Sequence, residues 1–191
     1  PSIPEGIPRV VNAQSPNYTA GRTDEFWLID LEDLQVYQRP FELKLVTPHA
    51  YWYVEEGQKA ALADLKRSAI IFEETIYPRI TSAFGEEWIP GVDNDPHLNI
   101  LNGRLHGAAG YYSSSDEYPE AVSPYSNQRE IIYINVSAYA VDSENYLKVL
   151  AHELQHAIHW RADPTEETWV NEGLAELATT IAGYDPDSIH R

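Results

Sequence analysis

The sequence predicts an α+β domain in which a small mixed, mostly antiparallel sheet packs on helices. Three observations predict this fold class. Runs of aromatic and β-branched residues, which favour strands, occur both before and after a long helical pattern. That pattern repeats apolar residues at spacings of three and four. Two further helical patterns follow near the carboxyl end of the chain, separated by a proline.

The composition is that of a folded, acidic protein. Of its 191 residues 43% are hydrophobic and 12% aromatic, enough for a continuous core. A net charge of −17 would repel phosphates, so we expect no nucleic-acid partner. The sequence has no cysteine, which excludes disulfides and thiolate chemistry, and no apolar run long enough for a membrane span or a signal-peptide core. The acidity suits a secreted or cell-surface protein, and the oligomeric state is left open.

Residues 1–57 are predicted to form an extended, β-rich segment that precedes or joins the main sheet. The first 25 residues are rich in Pro, Gly, Asn and Ser, which is typical of a surface arm. Strand-like runs follow at residues 26–30, 41–47 and 50–54.

Residues 58–191 are predicted to form the main domain. A helix is expected at about 58–77, and Pro78 should end or kink it. Strands are expected at 98–105, 108–112 and 130–136, with a long polar loop at 113–127. The apolar stripe of the predicted helix consists of Leu62, Leu65, Ala69, Phe72 and Ile76.

Two more helices are expected, at about 143–161 and 168–182. Asp142 or Ser143 can cap the first, Asp163-Pro164 separates the two, and Gly183 should end the second. Gly173 would permit close approach of the two helices. On the first helix Leu147, Leu150, Leu154 and Ile158 are predicted to face the core, and Val149, His152, His156 and His159 the other side. On the second, the predicted buried stripe is Val170, Leu174, Leu177 and Ile181.

The pattern HExxH at residues 152–156 is the strongest functional signal. On a helix it places His152 and His156 on one face, where one metal ion can bind both rings, with Glu153 beside them. A solvated helical face with two ordinary histidines is the alternative. Glu172 on the next helix offers the third ligand that a catalytic site needs, and Glu176 can orient a ligand histidine, so the second run favours a metal site.

The runs HELQH and WVNEGLAE resemble the gluzincin metallopeptidases, and most closely the hyicolysin-like branch and its small minigluzincin-type relatives. The resemblance covers residues from about 95 to 183. Metzincins fit less well, because His159 and Ala162 stand where that group has Gly and His. The resemblance implies a zincin-like fold in which the helix at 143–161 is the active-site helix and that at 168–182 the glutamate helix.

It also implies a zinc endopeptidase acting on peptides or proteins. One catalytic Zn²⁺ would be held by His152, His156 and Glu172, and Glu153 would be the general base that activates a water molecule. The family usually has a Tyr or His beyond the glutamate helix that stabilises the oxyanion. Tyr184 and His190 are the candidates here, although a packing or surface role is the alternative for each.

By the same resemblance, residues 108–112 (Ala108, Ala109, Gly110, Tyr111 and Tyr112) occupy the place of the edge strand beside the cleft. An extended peptide can pair with such a strand. An interior strand is the alternative.

Other functions stay open at this point. A truncated or non-catalytic zinc-containing binding or structural module would keep the ligands, but such a module has no use for Glu153. An exopeptidase would need a group that captures a peptide terminus, and no motif indicates one. Asp93-Asn94-Asp95 and Asp185-Pro186-Asp187 are candidate Ca²⁺ ligands, although ordinary turns explain both runs.

Overall fold

Six strands form a single mixed sheet in the computed structural model, which describes residues 3–185. The strands are β1 (Thr23–Ile29), β2 (Val36–Val46), β3 (Ala50–Glu55), β4 (Leu98–Gly103), β5 (Gly110–Tyr112) and β6 (Ile131–Asn135). Their order across the sheet is β1-β2-β3-β4-β6-β5. The β1–β2, β2–β3 and β5–β6 pairs are antiparallel, whereas β3–β4 and β4–β6 are parallel. The α+β class is therefore confirmed, and three strands of the sheet come from the first 57 residues.

The sheet separates two hydrophobic clusters, because successive residues of a strand point to opposite faces. On β3, Trp52 belongs to the cluster beneath the helices, whereas Tyr51 and Tyr53 belong to the cluster on the other face. The helix-side cluster also takes in Ile100, Ile132, Phe72, Leu150 and Leu154. Both faces of the central strands are thus buried, and the helices lie on one of them.

The helix expected at 58–77 is replaced by a longer, interrupted one. It consists of α1 (Leu62–Ile71), a π-helical turn (Phe72–Ile76) and α2 (Tyr77–Phe84). Pro78 was predicted to end or kink the helix, and it does not end it, because α2 continues to Phe84 after an irregular turn. The wider turn moves the preceding carbonyls away from the ring, with Tyr77 N–H bonded to Phe72 O, and Pro78 stands at the start of α2 where no N–H is needed.

Helices α3 (Glu144–Ala162) and α4 (Thr168–Ala182) match the predicted positions. Ser143 caps α3 by accepting a hydrogen bond from Tyr146 N at 3.2 Å, and Gly183 ends α4 with φ +103°. In the described part of the chain, no helix combines the length and the hydrophobicity that crossing a bilayer requires.

The predicted buried stripe of α4 is wrong. Leu177 is 47% exposed, and Val170, Leu174 and Ile181 are only half-buried. Small residues form the buried face instead, namely Ala175, Ala178, Thr179 and Ala182. Since short side chains let two helices approach closely, this face rather than Gly173 brings α4 to α3; a Cβ on Gly173 would meet nothing within 4 Å.

Candidate metal centre

The central part of α3 carries the two histidines and the glutamate of the HExxH pattern. One helical turn separates His152 from His156, and their Nε2 atoms lie 3.1 Å apart. Their side chains are only 9% and 12% exposed, so the surrounding residues leave both rings little freedom to move. Leu147, Leu150, Leu154 and Ile158 anchor the opposite side of the helix in the core, as predicted.

Glu172 joins the histidines from α4. Its Oε2 lies 3.5 Å from His152 Nε2, and its Oε1 lies 3.6 Å from His156 Nε2. Its side chain is 51% exposed, so the carboxylate lies on the solvent side of the two rings. Among residues 3–185, this is the one group of three or more ligand-type side chains compact enough to hold a metal ion.

The spacing of these donor atoms fits a tetrahedral metal ion. Bonds of about 2.0–2.1 Å at tetrahedral angles set ligand atoms about 3.3–3.4 Å apart. The two Nε2 atoms lie 3.1 Å apart, and Glu172 approaches them with a different oxygen each, at 3.5 and 3.6 Å. One donor atom from each of the three residues lies within 4.8 Å of the other two, close enough for a single ion to draw them together. Two imidazoles and one carboxylate leave a fourth position on the solvent side. The three residues can therefore hold a metal ion with a site for water or substrate.

Asn171 and Glu176, which flank Glu172 on α4, lie beside the histidine rings. Asn171 Oδ1 lies 3.0 Å from His156 Nδ1, so Nδ1 carries the proton and the lone pair of Nε2 faces Glu172. Glu176 Oε1 lies 3.9 Å from His152 Nδ1, on the side where an orienting carboxylate was predicted. Sequence reasoning did not assign a role to Asn171. Its place immediately before Glu172 was the available signal.

Glu153 lies under the site with its carboxyl group buried. Burial above all, together with the nearby Glu172 carboxylate, raises the pKa of Glu153 to about 8, and the backbone N–H of Tyr112 opposes both. A bound cation would also favour the charged form. A carboxyl group with a pKa near neutrality can accept a proton and return it, which is what a general base needs.

Strand β5 is the last strand of the sheet, so the predicted edge position is confirmed. The strand is shorter than expected, because Ala108 and Ala109 lie outside it. The Asn135 side chain donates to Ala108 O at 2.9 Å and Asn135 N donates to Ala109 O, and these bonds hold the chain in a bend after Gly107, where φ is +76°.

An open cleft of about 480 Å³ lies over the three ligand residues. Strand β5 forms one wall, and the end of α3, the α3–α4 loop and the start of α4 form the other. The cleft is lined by Gly110, Tyr111, Tyr112, Ser114, His152, Glu153, His156, His159, Trp160, Asp163, Pro164, Glu166, Asn171 and Glu172. Its size is that of an ordinary ligand site.

The candidate oxyanion stabilisers are not brought to the cleft by the described residues. Tyr184 packs against the helix-side core and does not line the cleft. It lies close to Arg79 on α2 and to Glu144 at the start of α3. Tyr184 therefore has a packing role, which was the alternative to oxyanion stabilisation. His190 lies outside the described residues. His159 lines the cleft but stands apart from the three ligand residues.

The run Asp93-Asn94-Asp95 forms a turn. Asp95 N donates to Asp93 Oδ1 at 3.0 Å, and His97 N donates to Asp95 Oδ1 at 3.1 Å. Tyr51 OH and Ser15 Oγ donate to the other oxygen of Asp95. These bonds support the turn interpretation rather than a Ca²⁺ site. The second run extends past Asp185 to residues outside the described range.

No protein-family model matches the chain, and a search of curated proteins finds no match.

Proposed function

We propose that this protein is a zinc-dependent peptide hydrolase of the gluzincin type. The observation that carries the proposal is the convergence of one donor atom each from His152, His156 and Glu172, on two helices, within 4.8 Å of one another. Two imidazoles and a carboxylate are a donor set that suits Zn²⁺. The sheet with β5 at its edge, and the two helices packed beside it, agree with a zincin-like arrangement.

An ion held there would act as a Lewis acid on the substrate carbonyl and would lower the pKa of a water molecule. Glu153 is the residue that takes the proton from the attacking water and passes it to the leaving nitrogen. Asn171 keeps His156 in the tautomer that presents Nε2. Strand β5 pairs with β6 along one side, so its other side is the place where an extended peptide adds as a strand.

The burial of Glu153 supports an enzyme over a zinc-containing structural module. A carboxyl group is costly to bury beside a metal site unless it has a role there. The open cleft supports the same conclusion, because a structural zinc site is closed by four protein ligands.

Metal analysis of the purified protein, combined with peptide digestion with and without a chelator, tests the proposal. We expect one equivalent of zinc and cleavage that the chelator abolishes and added zinc restores. Glu153→Gln should bind the same amount of zinc and lose turnover, whereas Glu74→Gln, an exposed change on the π-helical turn, should behave like wild type. Zinc binding without cleavage of any peptide by the wild-type protein would contradict the proposal and favour the non-catalytic module.

A further inference from the structure

We propose that the cleft selects peptides with a lysine or arginine side chain near the scissile bond, and that Asp163 and Glu166 determine this preference. The inference rests on the proposed peptidase function and names the substrate class of the same site.

Asp163 and Glu166 lie in the short loop between α3 and α4. They line the same cleft as the three ligand residues, together with Pro164 between them. The loop follows directly from the helix that carries both histidines, so its position relative to the metal site is fixed by α3 on one side and α4 on the other. A peptide bound along the cleft therefore passes these two carboxylates.

Acidic side chains outnumber fixed positive charges in the cleft. A divalent ion at the site would be matched by the carboxylates of Glu172 and Glu153. Asp163 and Glu166 then remain, and none of the described residues that line the cleft is Lys or Arg. Since unlike charges attract and like charges repel, the cleft favours basic side chains and disfavours acidic ones. The overall charge of −17 adds to this effect at long range.

Both carboxylates are held in place by local hydrogen bonds. Thr165 donates to Asp163 Oδ1 through its backbone N at 3.0 Å and its hydroxyl at 2.8 Å, and Glu167 N donates to Glu166 Oε1 at 2.9 Å. The bonds from Thr165 hold the pKa of Asp163 below its usual range. Asp163 therefore presents a fixed negative charge on the loop at neutral pH.

Trp160 adds a surface for the long stem of a basic side chain. Its ring lines the cleft and is held by Tyr118 at 5.9 Å and Trp88 at 6.3 Å between ring centroids. Aromatic faces bind the methylene stems of Lys and Arg and attract their charged ends.

Two arginines of a neighbouring pocket are directed elsewhere. A second pocket shares Trp160 and Pro164 with the cleft and contains Arg9 and Arg161. Arg9 stacks on Trp88, and Arg161 Nη1 donates to Glu87 O at 2.7 Å. These contacts engage both guanidinium groups, and neither arginine lines the cleft that holds Asp163 and Glu166.

Digestion of a peptide library by the zinc-loaded protein, read by mass spectrometry, tests the inference. We expect Lys or Arg enriched at a fixed position near the cleaved bonds. Matched peptides with Lys, norleucine or Glu at that position should differ in kcat/KM, with Lys over Glu by roughly tenfold at low salt and by less at high salt. The double variant Asp163→Asn, Glu166→Gln should bring the ratio close to one.

Asn at 163 can accept the same bonds from Thr165, so the loop should keep its conformation. The control is Glu25→Gln, Glu74→Gln, which removes two exposed charges outside the cleft and should keep the preference. Binding of the same peptides to zinc-loaded Glu153→Gln gives a readout without turnover, and the Lys peptide should bind most tightly.

The two proposals fail in different ways. Metal-dependent cleavage with equal rates for Lys and Glu peptides, or a preference that survives the Asp163 and Glu166 substitutions, overturns the substrate inference and leaves the peptidase proposal standing. Zinc binding with no cleavage of any library peptide overturns the peptidase proposal, and the substrate inference falls with it.

Discussion

Asn171 Oδ1 lies 3.0 Å from Nδ1 of His156, so the residue just before Glu172 on α4 fixes the orientation of the His156 ring. An orienting hydrogen bond of this kind raises the basicity of a ligand histidine and keeps its ring from rotating. Ligand and orienting residue are neighbours on α4, and any movement of that helix changes both contacts together.

Asn171→Ala should weaken zinc binding by roughly 10- to 100-fold, because His156 loses the acceptor that selects its tautomer. Competition against a chelator of known affinity measures the change. Asn171→Asp is the matched variant, since it keeps an acceptor at the same place, and it should bind zinc at least as tightly as wild type. Equal losses in the two variants would show that Asn171 acts on the helix rather than on His156.

Zinc should raise the melting temperature of the wild-type protein, because a ligand that binds only the folded state adds about 2.7 kcal/mol at a free concentration one hundred times its Kd. Thermal melting with zinc and with a chelator measures the difference. His156→Ala should lose most of the increase. Glu153→Gln should keep it, since Glu153 is assigned as a base and not as a ligand. A loss of the increase in Glu153→Gln would contradict that assignment.

At Gly110 the edge strand lies close against α3. A Cβ at this position would lie 2.4 Å from Val149 Cγ1 and 2.8 Å from Tyr133 O. Gly110→Ala should therefore push α3 away from β5, disturb the contact between Glu153 and Tyr112, and destabilise the protein by about 1–3 kcal/mol. Urea denaturation measures the loss.

Gly173→Ala is the matched control for Gly110→Ala. A Cβ at residue 173 would meet nothing within 4 Å, and the position is inside α4. Alanine is the better helix former, so this change should stabilise the protein by about 0.5–1 kcal/mol and leave zinc binding intact. Similar destabilisation in both variants would mean that the close approach at Gly110 has no special role.

The sequence was sufficient to predict α3, α4 and the two histidines and glutamate that the fold brings together, because these depend on local signals. A capping Ser143, a helix-breaking Asp163-Pro164 and a terminal Gly183 act within a few residues of themselves. The HExxH spacing specifies one helical face whatever surrounds it. The family resemblance predicted that β5 lies at the edge of the sheet. Only the strand order in the structure excludes the alternative, an interior strand.

The buried face of α4 could not be predicted in the same way. Hydrophobicity alone predicted that Leu174 and Leu177 would be buried. The buried positions are instead the alanines at 175, 178 and 182, whose short side chains let α4 pack closely against α3. The continuation of the first helix through Pro78 likewise depends on a π-helical turn, which the spacing of the apolar residues does not indicate. Contacts such as Tyr112 with Glu153 join distant parts of the chain and require the fold.

A group of buried carboxyl groups lies beneath the loop that follows β5. Glu117 and Glu130 are close enough to interact, burial raises the pKa of both, and the neighbouring Glu117 charge raises that of Glu130 further. Tyr112 OH donates to Glu117 at 3.1 Å, so the pair also contacts the edge strand. Burial raises the pKa of Asp116 to about 7 and that of Asp93 to about 8.

Stability should therefore fall as pH rises through neutrality. Each of these groups holds its proton more tightly in the folded than in the unfolded chain, so between about pH 4 and about pH 8 the folded state binds more protons and is favoured at the lower pH. At still lower pH the opposite holds for Asp95. Burial would raise the pKa of Asp95, but hydrogen bonds from His97, Tyr51 and Ser15 outweigh it and lower the pKa to about 2. The stabilisation that ionised Asp95 provides is therefore lost as the pH falls from 3.8, the ordinary pKa of the group, toward about 2.

Urea denaturation of the chelator-treated protein from about pH 4 to about pH 8 measures this dependence, and we expect a maximum near about pH 5. Glu117→Gln supplies an amide that can donate to Glu130 without a titrating proton. The variant should gain roughly 1–3 kcal/mol relative to wild type at the upper end of the range and show a flatter profile. Glu74→Gln, which removes an exposed charge, should leave the profile unchanged. A wild-type protein that becomes more stable from pH 5 to pH 8 would show that Glu117 and Glu130 are both ionised in the folded state.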